Sequence, residues 1–421
     1  MSHSIKIVLF SAVYPPEPQV SARISFDLAN YLASKNHNVT VVCPRPSRPL
    51  LADYSSYENL NAPIIKIEDN IKVVRLNSFV YPKSGIGGRL RESLSFGRLS
   101  INYLSKELDQ PDVIYVNSWP MIAQAIIAKY ARKKSIPMVL QIMDIYPEAF
   151  TNRLPIFLRY IVNFFAKRLD AKTAKTASKV VVISENMRLT YLKSRKIHDE
   201  SIIKVYTWQD ENLFKDVKKR TICCQKYGIP IQPFTFLFLG NIGRVAGVEF
   251  LIRSFAAAGL TNAQLLVIGD GVSRNDCITL AKKMNLANVR FISDPETSNV
   301  PELQGMAHVC LLPMKRGTGM SSIPSKLMSY LFSAKPVIVT ADFSSDTANF
   351  VNQANCGWVG EAENCNWLAQ TLSDVSKLPI EQLDCIGLRG REFGFKYFAK
   401  SVGVVKLSNT IINTAIYKHD S

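Results

Sequence analysis

Short apolar runs alternate with longer amphipathic segments along the whole chain. Five runs fall in the first half: IKIVLFS at 5–11, VTVVCP at 39–44, VIYV at 113–116, MVLQIM at 138–143 and VVVIS at 180–184. Five more fall in the second half: FTFLFLG at 234–240, QLLVIGD at 264–270, VRFIS at 289–293, VCLLP at 309–313 and KPVIVT at 335–340. Strands that are apolar throughout are typical of parallel sheets with helices on both faces. The pattern predicts an α/β protein with two doubly wound, Rossmann-like parallel sheets.

A break between the two series indicates two domains. The segment 209–233 is first polar and then rich in Gly and Pro. A chain of 421 residues is also longer than one core usually supports. We predict an N-terminal domain at 1–212 and a C-terminal domain at 213–400. Ligands of open parallel sheets bind beyond the carboxyl ends of the strands, so two facing sheets should bind substrates in the cleft between them.

Charge narrows the class of ligand. The formal net charge is +17, and the first 210 residues hold 29 Lys and Arg against 17 Asp and Glu. A basic half attracts anionic membranes, nucleic acids or phosphorylated ligands. The eight cysteines form no CxxC pair and no zinc-type cluster, which favours buried free thiols in a reducing compartment. The apolar run near the N-terminus reads as a first strand rather than a signal peptide, so we expect a cytoplasmic protein.

Two glycine-rich or serine-rich turns in the second half could bind an anion. Gly240-Asn241-Ile242-Gly243-Arg244 follows a strand and precedes a helix. Glycines there let backbone N–H groups approach a ligand, the helix N-terminus attracts negative charge, and Arg244 could complete a phosphate site. A tight turn with a solvated arginine is the alternative.

The stretch RGTGMSSIPSKLMSYLFSAKPVI at 316–338 repeats this arrangement. Ser321 or Ser322 could cap a helix, Pro324 suits its first turn, and Lys326 lies where free N–H groups favour an anion. A capped helix with an exposed lysine is the alternative. Because two such helix starts follow core strands in the same half, we favour a phosphorylated ligand bound between them.

Other strand ends carry weaker signals. Asp270 and Gly271 form a turn after one strand, and backbone groups at Ile292 and Ser293 after the next could read a nucleobase edge. Asp144, after MVLQIM, could position an acceptor hydroxyl or act as a base, or it could simply cap the next segment. None of these turns fits the Walker or the dinucleotide glycine pattern.

The ordered set of motifs resembles the retaining glycosyltransferases of family 4. YPPEP, VVISENM, TWQDENLF, GNIGR, VIGDG, NVRFIS, PSKLMSYLFSAKPVI and GWVG occur in this order over nearly the whole chain. The likeness is greatest to the bacterial O-antigen and capsule branch that includes N-acetyl-L-fucosamine transferases. The resemblance implies a GT-B fold, an N-terminal acceptor domain, a metal-free nucleotide-sugar site in the C-terminal domain, and a last helix within 401–421 that crosses back to the first domain.

The resemblance also assigns residues. It places the donor diphosphate on Gly243, Arg244 and Lys326, and the base near Ile292 and Ser293. The full predicted donor set is Gly240, Asn241, Gly243, Asp270, Gly271, Ile292, Ser293, Met320, Ser321, Ser322, Ser325, Ser329, Ser21 and Ala22, with Arg244, Lys326 and Asp144 as catalytic residues. Two glutamates common in the family are replaced by Ser321 and Ser329, and Ala246 replaces a basic residue.

The leading interpretation is a sugar-transfer reaction. The donor would be a nucleotide diphosphate sugar, with UDP the preferred nucleotide, and the acceptor a lipid-linked saccharide on the inner membrane face. Segment 153–179, with Arg159, Lys167 and Arg168, joins aromatic and basic residues as membrane-surface helices do. Segment 81–100 offers mobile glycines, and Arg89 and Arg91, for a pyrophosphate-linked acceptor. The alternatives are a catalytically weakened subunit and a basic polyanion-binding protein. No nucleic-acid-binding motif is present, so nucleic acid is not an expected partner.

Overall fold

The protein consists of two compact units, each built around its own sheet. The computed structural model describes residues 4–49, 52–57, 63–81, 85–117, 120–145, 156–293, 296–317 and 323–416. The first unit comprises the chain up to Tyr206 and again from Gly403, and the second comprises Thr207–Val402. The sequence predicts the first division after residue 212 and the second after residue 400, within six residues of these positions. The predicted α/β class with two Rossmann-like sheets is confirmed.

The first unit contains an eight-stranded sheet of order β3-β4-β2-β1-β5-β6-β7-β8. Its strands are β1 Lys6–Phe10, β2 Asn38–Pro44, β3 Ile64–Glu68, β4 Ile71–Leu76, β5 Val113–Val116, β6 Met138–Ile142, β7 Lys179–Val182 and β8 Ile202–Lys204. Its helices are α1 Val20–Ser34, α2 Ile86–Glu107, α3 Met121–Lys133, α4 Ile156–Thr176 and α5 Glu185–Thr190. All neighbouring strands are parallel except β3, which runs antiparallel to β4.

The β3–β4 hairpin is absent from the sequence prediction. Its turn is Asp69-Asn70, and both residues have positive φ, 48° and 65°. Asp and Asn tolerate this conformation, which two-residue hairpin turns require. The hairpin lies at the sheet edge, where β3 is largely exposed, so the apolar run that identifies core strands is missing there.

The glycines expected to make segment 81–100 mobile lie largely within helix α2, so this expectation is wrong for 86–100. Gly97 allows α2 to pack closely on α3, because a Cβ at this position would lie 2.8 Å from the Cα of Ala123. The glycine therefore serves helix packing.

The second unit contains a six-stranded, fully parallel sheet of order β11-β10-β9-β12-β13-β14. Its strands are β9 Phe234–Leu239, β10 Ala263–Ile268, β11 Val289–Ile292, β12 Val309–Pro313, β13 Val337–Ala341 and β14 Gly357–Glu361. Its helices are α6 Arg220–Lys226, α7 Val248–Ala257, α8 Arg274–Lys283, α9 Val300–Gly305, α10 Ser325–Phe332, α11 Asp346–Ala354, α12 Cys365–Val375 and α13 Ile380–Phe398. Helix α14, Lys400–Ile416, begins in this unit, and its residues from Gly403 group with the first.

All eight cysteines are free thiols. Six are buried, Cys365 is partly buried and Cys385 is exposed. Burial raises the pKa of the buried Cys43 and Cys310 to about 12, which keeps these thiols protonated. They behave as small apolar core residues.

Candidate functional site

The predicted donor residues of the second unit gather at one edge of its sheet. Strands β11, β10 and β9 are adjacent and parallel, so their carboxyl ends lie side by side. Ile292 and Ser293 lie at the end of β11, Asp270 and Gly271 follow β10, and Gly240, Asn241 and Gly243 follow β9. Such an edge is where open parallel sheets bind ligands.

Backbone hydrogen bonds join the turns after β9 and β10. The N–H of Ile242 donates to the carbonyl of Asp270 at 2.7 Å, and the N–H of Ser273 donates to the carbonyl of Ile242 at 3.0 Å. Gly271 has φ 152°, and a Cβ there would collide with the carbonyl oxygen of Ile242. The absence of a side chain at Gly271 therefore lets the two turns meet.

Lys326 is fixed against the end of β9 by its own helix. One turn further along α10, the fully buried Tyr330 accepts a hydrogen bond from the N–H of Leu239 at 3.0 Å. Residues four apart share a helix face, so Lys326 lies over the same strand end. Its Nζ is 4.0 Å from the ring centroid of Phe238. Gly240, with φ 135°, leaves the space that the Lys326 side chain occupies, since a Cβ would collide with Cε.

The ammonium of Lys326 is partly removed from water. Burial lowers its pKa from 10.5 to about 8. Among the described residues, no carboxylate and no hydrogen-bond acceptor pairs with this ammonium. Within that part of the chain, its interaction is with the face of the Phe238 ring. A cation in the first turn of a helix also opposes the macrodipole. Both costs would be offset by an anion bound at this position.

The other charged groups of this edge are more exposed. Arg244 and Asn241 are exposed in the turn after β9. Asp270 forms an ion pair with Arg274 at 3.4 Å. The loop that leads toward α10 is held by Asp342, whose carboxylate accepts the N–H of Gly317 at 2.7 Å.

The start of α10 differs from the predicted capped helix. Pro324 is the N-cap residue, and no side chain of the described residues caps the helix there. Ser325 is exposed, whereas the hydroxyl of Ser329 is buried, accepts from the amide of Gln304 at 2.9 Å and donates to the carbonyl of Lys326 at 3.0 Å. Met320, Ser321 and Ser322 lie outside the described residues.

The predicted donor and catalytic residues of the first unit lie at the carboxyl edge of its own sheet. The carbonyl of Ser21 accepts from the amide of Asn117, which also donates to Ser25 at 2.7 Å. Ala22 is fully buried, so neither its side chain nor its backbone is exposed at this edge. Asp144 follows β6 with an exposed side chain, and partial desolvation by surrounding protein raises the pKa of its carboxyl.

The two arginines of α2 that the sequence assigns to the acceptor, Arg89 and Arg91, have different partners. Arg89 bonds to the buried Glu92 at 3.1 Å, and Arg48 bonds to the same carboxylate at 2.7 Å. The Arg91 guanidinium stacks over Phe79 with its carbon 4.2 Å from the ring centroid. On α4, Arg159 and Arg168 are exposed and Lys167 is partly buried.

Sequence reasoning missed Phe238, Tyr330 and Glu92. Tyr330 follows Lys326 by four residues, so helical spacing could have paired them. Phe238 and Glu92 gave no signal, because each acts through a contact between segments distant in sequence. Groups of three or more His, Cys, Asp or Glu side chains placed to hold a metal ion do not occur within the described ranges.

Two family models match this chain in succession. The model described as Glycosyltransferase Family 4 matches residues 21–211, and the model described as Glycosyl transferases group 1 matches residues 220–392. The fold already defines an α/β protein of two units, each with a Rossmann-like sheet. The chain belongs to the glycosyltransferases, with a Family 4 domain followed by a group 1 domain.

Two curated relatives are also glycosyltransferases by name. The putative colanic acid biosynthesis glycosyl transferase WcaI of Escherichia coli K12 is 22% identical over 80% of this chain and 84% of its own length. The probable glycosyltransferase WbjE of Pseudomonas aeruginosa is 20% identical over 58% of this chain, and the match spans 61% of WbjE.

Solved structures share the whole fold. Sucrose-phosphate synthase from Thermosynechococcus elongatus aligns with a TM-score of 0.73 at 16% identity, over 96% of this chain and 97% of that one. WaaG, a glycosyltransferase of lipopolysaccharide biosynthesis, aligns with a TM-score of 0.67 at 18% identity over 96% and 99%. Anabaena HepE in complex with UDP aligns with a TM-score of 0.67 at 15% identity over 97% and 100%. This is the GT-B architecture.

We predict that Gly240→Ala weakens UDP binding by displacing Lys326. Gly259→Ala is the matched control, because Gly259 also has positive φ (61°) but has no atom within 4 Å of its would-be Cβ. Both variants should lose about 1–3 kcal/mol of stability from backbone strain, with the larger loss at Gly240, whose φ of 135° lies outside the left-handed helical region. Calorimetric titration with UDP should show reduced affinity for Gly240→Ala alone. Equal affinities of the two variants would show that the lysine position does not matter.

A pH-dependent stability difference should report the desolvation of Lys326. Between pH 8 and 10.5 the unfolded chain holds a proton on this lysine that the folded chain has released. The free energy of unfolding should therefore rise with pH in this window relative to Lys326→Met, and the penalty should be complete below it. The gain is on the order of 1–3 kcal/mol, since one pKa unit corresponds to about 1.4 kcal/mol. Parallel denaturation curves of the two proteins across this window test the claim; identical pH profiles would contradict it.

Proposed function

We propose that this protein is a retaining glycosyltransferase that moves a sugar from a UDP-sugar to a polyprenyl-diphosphate-linked saccharide. The reaction would take place at the inner face of the cytoplasmic membrane during synthesis of a surface polysaccharide such as O-antigen or capsule. As the sugar we propose an N-acetylated deoxy sugar such as N-acetyl-L-fucosamine, on the strength of the motif resemblance alone.

One observation carries the donor assignment: the partly desolvated ammonium of Lys326 at the end of β9. It lies beside the turn that begins at Gly240 and at the N-terminal end of α10. This combination of a cation and a helix N-terminus matches the needs of a diphosphate. The complexes of HepE with UDP and with UDP-glucose support UDP as the nucleotide.

Charge at the diphosphate grows as the bond between the anomeric carbon and the diphosphate oxygen breaks. A preorganised cation stabilises this transition state more than the ground state. Lys326 would supply the fixed charge, and Arg244, exposed in the neighbouring turn, would add a second cation. The acceptor hydroxyl would attack from the side of the leaving group, with Asp144 as the candidate acceptor-side carboxylate.

A lipid-linked acceptor is supported by the surface of the first unit. Helix α4 exposes Tyr160, Ile161, Phe164 and Phe165, with between 51% and 73% of each side chain accessible. Exposed aromatic residues beside basic ones are typical of helices at a membrane surface. Within the described residues, no helix is both long and apolar enough to cross a bilayer. The name of WcaI, a colanic acid biosynthesis protein, supports a polysaccharide product.

A catalytically weakened glycosyltransferase-like subunit is the second candidate. Ser329 stands where the family resemblance leads one to expect a glutamate, and its hydroxyl is engaged by Gln304. Binding of a UDP-sugar without release of UDP would favour this candidate over the enzyme.

Lys326→Ala tests the proposed reaction. A thermal-shift screen of UDP-sugars first selects the donor, since a ligand at about 100 times its Kd stabilises by about 2.7 kcal/mol. With that donor, UDP release should fall about 100- to 1,000-fold, as for other preorganised transition-state donors. UDP affinity should fall less, and stability at neutral pH should not fall, because the desolvation penalty of the ammonium is removed with it. The control Lys282→Ala removes an exposed cation of α8 and should keep full turnover. Normal turnover of Lys326→Ala would refute the assignment.

Metal independence is the other part of the proposal, because Lys326 and Arg244 would neutralise the diphosphate in the role that a divalent ion otherwise takes. The rate of UDP release should be the same in EDTA as in excess magnesium. A strict requirement for magnesium or manganese would show that Lys326 and Arg244 are not the charge-neutralising pair.

A further inference from the structure

A basic pocket lies between helices α3 and α4 of the first unit. It is lined by Arg132, Arg168, Ala171, Lys172, Lys175 and Thr176 and has a volume of about 470 Å³. Arg132 comes from the last turn of α3, and the other residues come from α4. We call this the α3–α4 basic pocket. Its volume lies in the range of small-molecule sites.

The cations of this pocket lack acidic neighbours on their own helices. Helix α3 contains no Asp or Glu, and α4 contains Asp170 alone. Asp170 faces the opposite way, where it is buried and accepts from Arg195 at 2.8 Å and from Tyr191 at 3.0 Å. Four cations around one cavity repel each other unless an anion is bound. None of the four forms an ion pair with a carboxylate in the part of the chain that the structure describes.

The exposed face of α4 is divided along its length. At the helical repeat of 3.6 residues, the aromatic residues Phe164 and Phe165 lie on the same side as Arg168, Lys172 and Lys175. The guanidinium carbon of Arg168 lies 4.2 Å from the ring centroid of Phe164, which links the two parts. The first half of this face is apolar and the second half is basic.

This pocket is remote from the catalytic edge of its own sheet. Helix α3 ends just before β6 begins, and α4 ends just before β7 begins, so the last turns of both helices lie at the amino edge of the strands. Asp144 and Ser21 lie at the carboxyl edge. The ligand of the pocket is therefore not the reacting part of an acceptor.

We propose that the α3–α4 basic pocket binds the phosphate of an anionic phospholipid headgroup while the aromatic half of α4 enters the membrane interface. The proposal rests on the membrane location stated under Proposed function and adds a discrete headgroup site to it. Arginine and lysine side chains bind phosphate oxygens through charge-assisted hydrogen bonds. A membrane lipid suits both halves of the face, because it presents a phosphate and apolar chains together. A free phosphate would leave the aromatic residues without a role.

The test compares Arg132→Gln with Lys133→Gln. Both residues are exposed in the last turn of α3 and make similar interactions with the helix dipole, but only Arg132 lines the pocket. Flotation with vesicles of phosphatidylcholine and phosphatidylglycerol measures membrane partitioning. Each basic residue lost should lower the partition coefficient about fivefold. Arg132→Gln should therefore lower it about fivefold, and the double variant Lys172→Gln/Lys175→Gln about 25-fold. Lys133→Gln should remain near the unmodified protein.

Glycerol 1-phosphate, titrated in the absence of vesicles, distinguishes the lipid from a soluble phosphate. It should bind weakly and compete with vesicles. Equal losses of vesicle partitioning in Arg132→Gln and Lys133→Gln would overturn the proposal, because they would indicate a diffuse electrostatic attraction between the helix and the membrane. If Arg132→Gln lost glycerol 1-phosphate binding but partitioned into vesicles like the unmodified protein, the pocket would bind a soluble ligand instead. Failure of the unmodified protein to float with vesicles would overturn the proposal outright. UDP affinity should be unchanged in Arg132→Gln; if the unmodified protein does not bind UDP, the proposed function fails independently of the pocket.

Discussion

The contact between α10 and the end of β9 is the constraint on which the candidate donor site depends. Tyr330 binds the backbone of Leu239, and this bond fixes Lys326 over Phe238 and Gly240. Because Gly240 has no side chain, the lysine can lie against the turn from which Arg244 projects. The same turn is bonded to the turn after β10, so the position of the cation and the shape of the glycine edge are set together. A rigid, partly desolvated charge of this kind is what electrostatic catalysis requires.

Lys326 differs in its partners from two other cations of the second unit that are removed from water, Lys335 and Arg220. Lys335 is almost fully buried, and its ammonium donates to the carbonyls of Gly305 and Ala307, at the end of α9. Arg220 is likewise used structurally, donating to backbone carbonyls that include that of Met306. Each of these cations replaces its lost water with fixed acceptors, as buried charges must. Among the described residues the ammonium of Lys326 interacts only with the ring of Phe238, so its hydrogen-bonding capacity remains available to the proposed diphosphate.

The core strands and the glycine turns could be predicted because each is encoded locally. An apolar run identifies a doubly covered strand, and Gly240 and Gly271 are positions where the chain needs positive φ. The β3–β4 hairpin escaped prediction because an exposed edge strand lacks that run. The buried state of Ser329 escaped it because its partner Gln304 comes from another helix. Tertiary hydrogen bonds of this kind leave no periodic signal in a sequence.

The sequence of α4 shows how one helix can satisfy a core and still carry the exposed surface for which we propose a membrane role. Its inner face carries Asp170, Thr173 and Ala174, which are buried, and Asp170 anchors the helix through Arg195. Breaking such a buried pair is costly, so this face holds the helix in place. The outer face can then remain apolar in one half and positively charged in the other without loss of the fold. Neither half gains stability from its exposure, so the proposed membrane surface, which is both apolar and anionic, would account for both.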